Sequence, residues 1–310
     1  MSSATTASSR LKIALGSDQA GVFHPGLPVL AGAAREELFP AAHPAGQSGA
    51  LTLFRQNDWL LGAASSPLTN GLESASHQLY QDIFQATRGL HLARIWNYVP
   101  AINEAGPEEM ENYLLFCRGR SLAFEEQHGS GFKALLPSAS AVGCPAETLT
   151  VVFAASTTPP RHLENPLQIP AYEYPAAYGP RSPSFARASV ISDEGSGSAT
   201  VFISGTAAIR GHATVAPHNL RDQVNCTLEN LREISAACSL GQDLDRHGKS
   251  TRHFKVYLRH AADYPVVAAA LEEKILLSTD RVSYVQADIC RAPLLVEIEA
   301  SLFGVKLIGT

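Results

Sequence analysis

The hydrophobic and polar positions of this chain run through one plan twice. In the first copy, the apolar run LLGAASS (60–66) is followed by the helical SHQLYQDIFQATRGL, the strand-like ARIWNYVPAIN, a second helical run from Glu108, and SASAVGCPAETLTVVFAAS. In the second, VFISGTAAI is followed by LRDQVNCTLENLREI, FKVYLRHAADYP, VVAAALEEKILL and VSYVQADICRAPLLVEIEA. Repetition of a supersecondary unit fixes architecture before any local pattern does. Each copy reads as hairpin, helix, strand, helix, strand, which predicts an α+β fold of two tandem units, each a β-sheet with helices on one face. The turn DEGSGSA (193–199) supplies glycine where SVIS reverses into TVFIS. Val224, Leu228, Leu231 and Ile234 recur at helical spacing and predict one buried helix face.

The copies differ where chemistry would be done. Cys144 precedes LTVVFA as Cys290 precedes LLVEIEA, and sliding one run over the other sets Glu297 against Val151 or Val152. A carboxylate has replaced an apolar residue, so the second copy reads as the reactive one and the first as structural. Between them, residues 156–188 hold seven prolines, which exclude a long helix or a central strand. The segment also carries Tyr172, Tyr174, Tyr178 and Phe185 among Arg181 and Arg187. Flexible linkers are poor in aromatics, so an ordered loop packed over a site is expected. The boundaries expected are 1–155 for the first unit, 156–188 for the connecting loop and 189–310 for the second unit.

Composition narrows the possibilities. The chain has 310 residues, 45% hydrophobic and 17% charged, with a formal net charge of −5. That suits two cores and offers no electrostatic footprint for nucleic acid or an anionic membrane. The first ten residues are small and polar, no apolar run approaches a membrane span, and a cytoplasmic location is expected. Five cysteines (Cys117, Cys144, Cys226, Cys238 and Cys290) form no CxxC pair, which suits free thiols in a reducing compartment. The sequon at Asn225, Cys226 and Thr227 is then incidental. The loop at 241–253 is charged and bears histidine but lacks ligand spacing, and reads as a solvated excursion rather than a metal site. Phosphate loops, GxSxG elbows and HExxH motifs are missing.

In SGTAAI, in DQVNCTLENLREI and in the ending LLVEIEA, the second copy resembles the YjgF/RidA-type fold. Within that superfamily, RIWNYVPAIN (94–103), YGPRSPSFARA (178–188) and ADICRAPLLVEIEA (287–300) look like the chorismatases, also called 3-hydroxybenzoate synthases. The resemblance runs from about Leu51 to Leu307. It implies two YjgF-like units in one chain, assembled as a homotrimer or closing a pseudo-trimeric core. It also implies cleavage of chorismate to pyruvate and 3-hydroxybenzoate, or to a dihydroxycyclohexadiene carboxylate. Simple superfamily members hydrolyse imines with an arginine two residues before the cysteine; that position here is Asp288, which argues against imine hydrolysis. A silent binding protein for small aromatic carboxylates is the alternative from another class.

An enolpyruvyl ether breaks when its terminal methylene is protonated to an oxocarbenium ion, which requires a carboxylic acid rather than a carboxylate. Glu297 suits this role if its strand is buried, since desolvation raises a carboxyl pKa. Glu299 lies about 6 to 7 Å away on the same strand face and would oppose ionisation of its neighbour. On an exposed face, both would simply pair with basic residues. Two substrate carboxylates call for arginine forks. Arg181, Arg187 and Arg259 are the candidates, Arg259 because it lies opposite the face of Phe254, Val256 and Leu258. Tyr178 is either a substrate contact or a packing residue, and Gly205 lets backbone approach a ligand. Ala207 and Ala208 follow SGT, where the resemblance implies that subtypes vary. Cys290 by pattern is a small buried hydrophobe; the resemblance implies that it directs product toward 3-hydroxybenzoate. His212 and His218 flank the same segment. The reaction calls for no cofactor or metal.

Overall fold

The computed structural model describes residues 9–16, 19–193 and 195–308, so most of the polar N-terminal stretch and Glu194 of the hairpin turn lie outside it. The N-terminal part forms β1 (Lys12–Ala14), β2 (Val22–Phe23), β3 (Val29–Gly32) and β4 (Arg35–Glu37). The first unit contains β5 (His43–Ser48), β6 (Leu51–Gln56), β7 (Trp59–Pro67), α1 (Gly71–Ala86), β8 (His91–Pro100), α2 (Asn112–His128), β9 (Ser138–Cys144) and β10 (Thr148–Ser156). The connecting segment adds β11 (Arg161–Leu163). The second unit contains β12 (Ala188–Asp193), β13 (Ser198–Ala207), the ribbon β14 (Ile209–Arg210) and β15 (Ala213–Thr214), α3 (Leu220–Ala237), β16 (Thr251–Leu258), α4 (Tyr264–Lys274), β17 (Arg281–Gln286) and β18 (Val296–Val305).

The fold is α+β, with the two tandem sheet-and-helix units expected. The sheets run β5-β6-β7-β10-β8-β9 and β11-β12-β13-β18-β16-β17-β3. In each unit the last stretch is two strands where one was expected. The first runs parallel to its neighbour (β8–β9, β16–β17), and the second returns antiparallel through the middle. Pro145 and Pro293 lie in the intervening turns, where a missing N–H ends the pairing. The second helix of the first unit starts at Asn112 rather than Glu108, after a single turn of 3-10 helix at Pro107–Glu109. Asn219 caps α3 by accepting from the Asp222 amide, and the stripe Val224, Leu228, Leu231 and Ile234 is buried on the second sheet. No helix among the described residues is long and apolar enough to cross a membrane.

Strand periodicity assigns the faces. Val151, Phe153 and Ala155 of β10 pack under α1 and α2, and Ile298, Ala300 and Leu302 of β18 under α3 and α4. The opposite faces, with Val152, Ala154, Trp96 and Tyr98 on one side and Phe202, Tyr257 and Val285 on the other, share a third core. The two sheets therefore meet at an inter-sheet seam with helices outside. Of the two first-copy candidates, Val152 shares the seam-facing side with Glu297. Leu11, Ile13, Leu15, Leu27 and Phe39 of the N-terminal part fill the rest of this core. β3 joins the edge of the second sheet, so the chain before Leu51 serves both units.

Candidate active site

A cavity of about 150 Å3 opens beside the seam, lined from three stretches of chain. The first unit supplies Tyr113 and Arg120 from α2 and Ser140 from β9; the connecting segment supplies Tyr174, Tyr178, Phe185 and Arg187; the second unit supplies Gly205, Ala207, Cys290, Arg291 and Glu297. The first copy thus does more than the structural role expected of it. The proline-rich segment is ordered, with short 3-10 turns at Ala171–Glu173 and Ala176–Tyr178.

Glu297 and Glu299 share the seam-facing side of β18, and both are buried. Their surroundings are opposite. Glu299 accepts from Arg94 Nη2 and Trp96 Nε1 at 2.8 Å each, and from Lys255 Nζ and Tyr257 Oη at 3.0 Å each. Those four donors nearly fill a carboxylate's capacity. Burial alone would raise the Glu299 carboxyl, but Lys255 and Arg94 hold it well below the usual carboxylate range. Lys255 is itself saturated, reaching Glu36 Oε2 of β4 at 2.5 Å and Tyr98 Oη at 3.1 Å besides Glu299. Lys255 is therefore fully engaged before Glu297 is reached, while Arg94 keeps its Nε and Nη1 unbonded. No side chain among the described residues donates a hydrogen bond to Glu297. Burial and then the Glu299 charge push its carboxyl up to about 8, against weaker opposition from Arg94 and Arg187. Their surroundings thus favour the anion at Glu299 and the neutral acid at Glu297, a split between two neighbouring carboxyls.

The SGT sequence shapes this end of β13. The register against β18 shifts between Ile203 and Thr206, a local irregularity of the kind that re-aims side chains beside sites. Ser204 Oγ donates to the Ala186 carbonyl at 2.6 Å and accepts from the Ala139 amide at 2.8 Å, joining both units and the connecting segment. A Cβ on Gly205 would lie 2.0 Å from Glu297 Oε1, so a larger residue there would displace the Glu297 carboxyl from this position. Ala207 pairs directly with Glu297 across the strands. On α3, Asn230 Nδ2 donates to the carbonyls of Ala207 and Ile209, and Gln223 bonds the Pro293 carbonyl and the Leu295 amide. Gln223 and Asn230 of α3 thus tie down the chain on either side of the cavity.

Among the predicted arginines, Arg187 reaches the cavity. It is buried, and its Nη2 donates to Tyr174 Oη at 2.8 Å. Arg181 lies outside the lining and pairs with Glu125 of α2 at 2.6 Å. Arg259 lies outside the lining as well. Strand parity gives its face but not its partners, and it sits just past the end of β16, where its guanidinium bonds the carbonyls of Ile289, Arg291 and Leu294 and pairs with Asp288 at 2.6 Å. It clamps the loop that carries Cys290 and Arg291, and it occupies the Asp288 side chain.

Two cations were missed. Arg120 is buried on α2, and its Nε and Nη2 make no hydrogen bond, so this cavity-lining guanidinium has donors to spare for an anion. Arg291 stands over the rings of Tyr178 at 4.3 Å and Tyr174 at 5.2 Å, and donates to the His212 carbonyl at 2.7 Å. Only the helix of the other copy could have revealed Arg120, as an arginine two residues after Arg118 in an otherwise buried run. Tyr178 lines the cavity with its hydroxyl 3.0 Å from His212 Nδ1. Ala208 is fully buried behind Ala207. Cys290 lines the cavity half-buried; burial and the neighbouring Glu297 push its thiol up to about 12, so it is held as the neutral thiol.

Comparisons with known proteins agree with this geometry. Residues 37–155 match the family described as chorismatase FkbO/Hyg5-like, N-terminal. A chorismatase from Streptomyces hygroscopicus is 35% identical over 276 residues, covering 85% of this chain and 78% of its own. A 3-hydroxybenzoate synthase from the same organism is 34% identical, covering 82% and 76%. A chorismatase crystal structure superposes with a TM-score of 0.73 at 29% identity over 97% of this chain and 95% of that one. With family sequence, fold and cavity in accord along nearly its whole length, this chain belongs to the chorismatase family.

Proposed function

We propose that the protein cleaves the enolpyruvyl ether of chorismate, releasing pyruvate and 3-hydroxybenzoate. The observation that carries this reading is the buried Glu297 carboxyl, free of side-chain donors and facing a cavity lined by Arg120 and Arg187, whose guanidinium groups keep unbonded nitrogens; burial and the Glu299 charge favour its protonated form. Arg120 and Arg187 are suited to the two substrate carboxylates, since a guanidinium fork matches a carboxylate bidentately. The Glu297 O–H bond breaks as the terminal methylene takes the proton, and the ether oxygen stabilises the resulting cation. Arg94 and Arg187 oppose the charge left on Glu297. Pyruvate and 3-hydroxybenzoate together contain all the atoms of chorismate, so the net equation balances without a co-reactant; release of the dihydroxycyclohexadiene carboxylate instead takes up water.

An acid that must be protonated sets the sign of the pH dependence. Activity is supported below the Glu297 pKa and lost above it, and a bound substrate anion raises that pKa further. The expected kcat is flat near neutrality and falls with a limb at or above about pH 8, approaching tenfold per unit. Stopped-assay rates at saturating substrate check this.

Cys290 shares the cavity with Glu297 as a neutral thiol and supports control over the fate of the ring. Cys290→Ala is expected to keep pyruvate release while moving product from 3-hydroxybenzoate toward the dihydroxycyclohexadiene carboxylate. Liquid chromatography with mass detection reads the ratio; an unchanged ratio would remove Cys290 from the account. The unpaired thiols support work in a reducing cytoplasm. The N-terminal part, by filling the inter-sheet core, supports a pseudo-trimeric core closed within one chain over one that depends on a homotrimer.

A further inference from the structure

Behind Arg187, outside the residues that line the cavity, lies a carboxyl with no part in the steps above. Glu164 follows β11, and neither its Oε1 nor its Oε2 makes a hydrogen bond, although both are shut off from water. Arg187 Nε is also buried and without an acceptor, and Glu164 Oε2 stands 4.0 Å from it. An ionised carboxylate held this way, unbonded and short of contact with its counter-ion, is costly; a closed pair or a protonated carboxyl relieves it. The two relieved states compete with, or release, the guanidinium that faces the cavity.

We propose that Glu164 is a positioning residue for Arg187, one that takes up a proton as an anionic substrate engages that arginine. The inference rests on the chorismate reading above. With the site empty, ionised Glu164 attracts Arg187. A substrate carboxylate competes for the same guanidinium, and the displaced Glu164, left buried beside a new negative charge, protonates. The other groups that bear on Glu164 are Glu173 and Tyr172 of the neighbouring turn, with Lys133 over the Tyr172 ring at 5.9 Å. Burial lifts the Glu164 carboxyl to about 7, with Arg187 drawing it down and Glu173 adding to the rise. At neutral pH the empty enzyme therefore holds Glu164 partly ionised, and a bound anion shifts it toward the acid form. Linkage then makes affinity fall as pH rises through about 7, by roughly tenfold between pH 6 and pH 8.

The test uses Glu297→Gln as the background, which slows turnover by orders of magnitude and removes the other raised carboxyl of the site. Calorimetric titration with chorismate at pH 7, in two buffers of different ionisation enthalpy, counts protons taken up on binding. Uptake of about half a proton is expected in the Glu297→Gln protein and almost none when Glu164→Gln is added, with the double variant also losing most of the pH dependence of Kd. Glu164→Leu, similar in volume, is expected to match Glu164→Gln, and thermal melts of each variant monitor folding. Equal proton uptake with and without Glu164, or an affinity loss that is the same at every pH, would overturn the inference while leaving the chorismate reading intact. Absence of chorismate binding in both proteins would overturn that reading, and the inference with it.

Discussion

Glu297→Gln lowers kcat for pyruvate release by about 10²- to 10⁴-fold, the range that a positioned general acid contributes. Glutamine keeps the volume beside Gly205 and the fit at that close approach, but has no acidic proton to give. No internal donor is lost, because none binds Glu297, so KM is expected to change little by comparison. The specificity of the result lies in its contrast with the neighbouring residue. Glu299 is equally buried on the same strand face, yet its lone pairs are occupied by Arg94, Trp96, Lys255 and Tyr257 and it stays anionic. A rise in KM with kcat unchanged after Glu297→Gln would mean that Glu297 only binds.

Lys255→Met destabilises the fold by about 3 to 5 kcal/mol, the usual cost of removing one partner from a buried ion pair. Its ammonium is the link between Glu36 of the N-terminal part and Glu299 of β18, at 2.5 and 3.0 Å. Methionine fills the space but leaves both carboxylates in the seam with Arg94 as the remaining cation. Adding Glu36→Gln to Lys255→Met removes one orphaned charge and is expected to recover part of the loss. Chemical denaturation of the three proteins measures this; a single variant within about 1 kcal/mol of the wild type would show that the seam does not depend on the charge cluster.

The architecture was legible because periodicity is local. The repeated order of runs gave two units, the 224–234 stripe gave the buried face of α3, and VEIEA gave a strand with two carboxylates on one side. The expectation of Glu297 as the acid, with Glu299 opposing its ionisation, could be read from the strand, but what sets their charge states could not. Those depend on Lys255 and on Arg94 of the other unit, with Trp96 donating to Glu299 and Glu36 holding Lys255, all far from β18 in sequence. Lys255 carried a usable signal: a lysine between Phe254 and Val256, in a strand buried on both faces, needs a buried anion. Arg259 misled for the complementary reason. Alternation fixes the side on which a residue emerges, but not whether a ligand or its own loop awaits it there, and here three loop carbonyls and Asp288 take the guanidinium. Arg120 was hidden because the first copy, lacking a counterpart to Glu297, looked inert.

Incubation of the purified wild-type protein with chorismate, with pyruvate and aromatic products followed by liquid chromatography and mass detection, tests the central claim most directly. The account predicts pyruvate and 3-hydroxybenzoate in equal amounts. Intact chorismate after prolonged incubation, with no pyruvate formed, would contradict it.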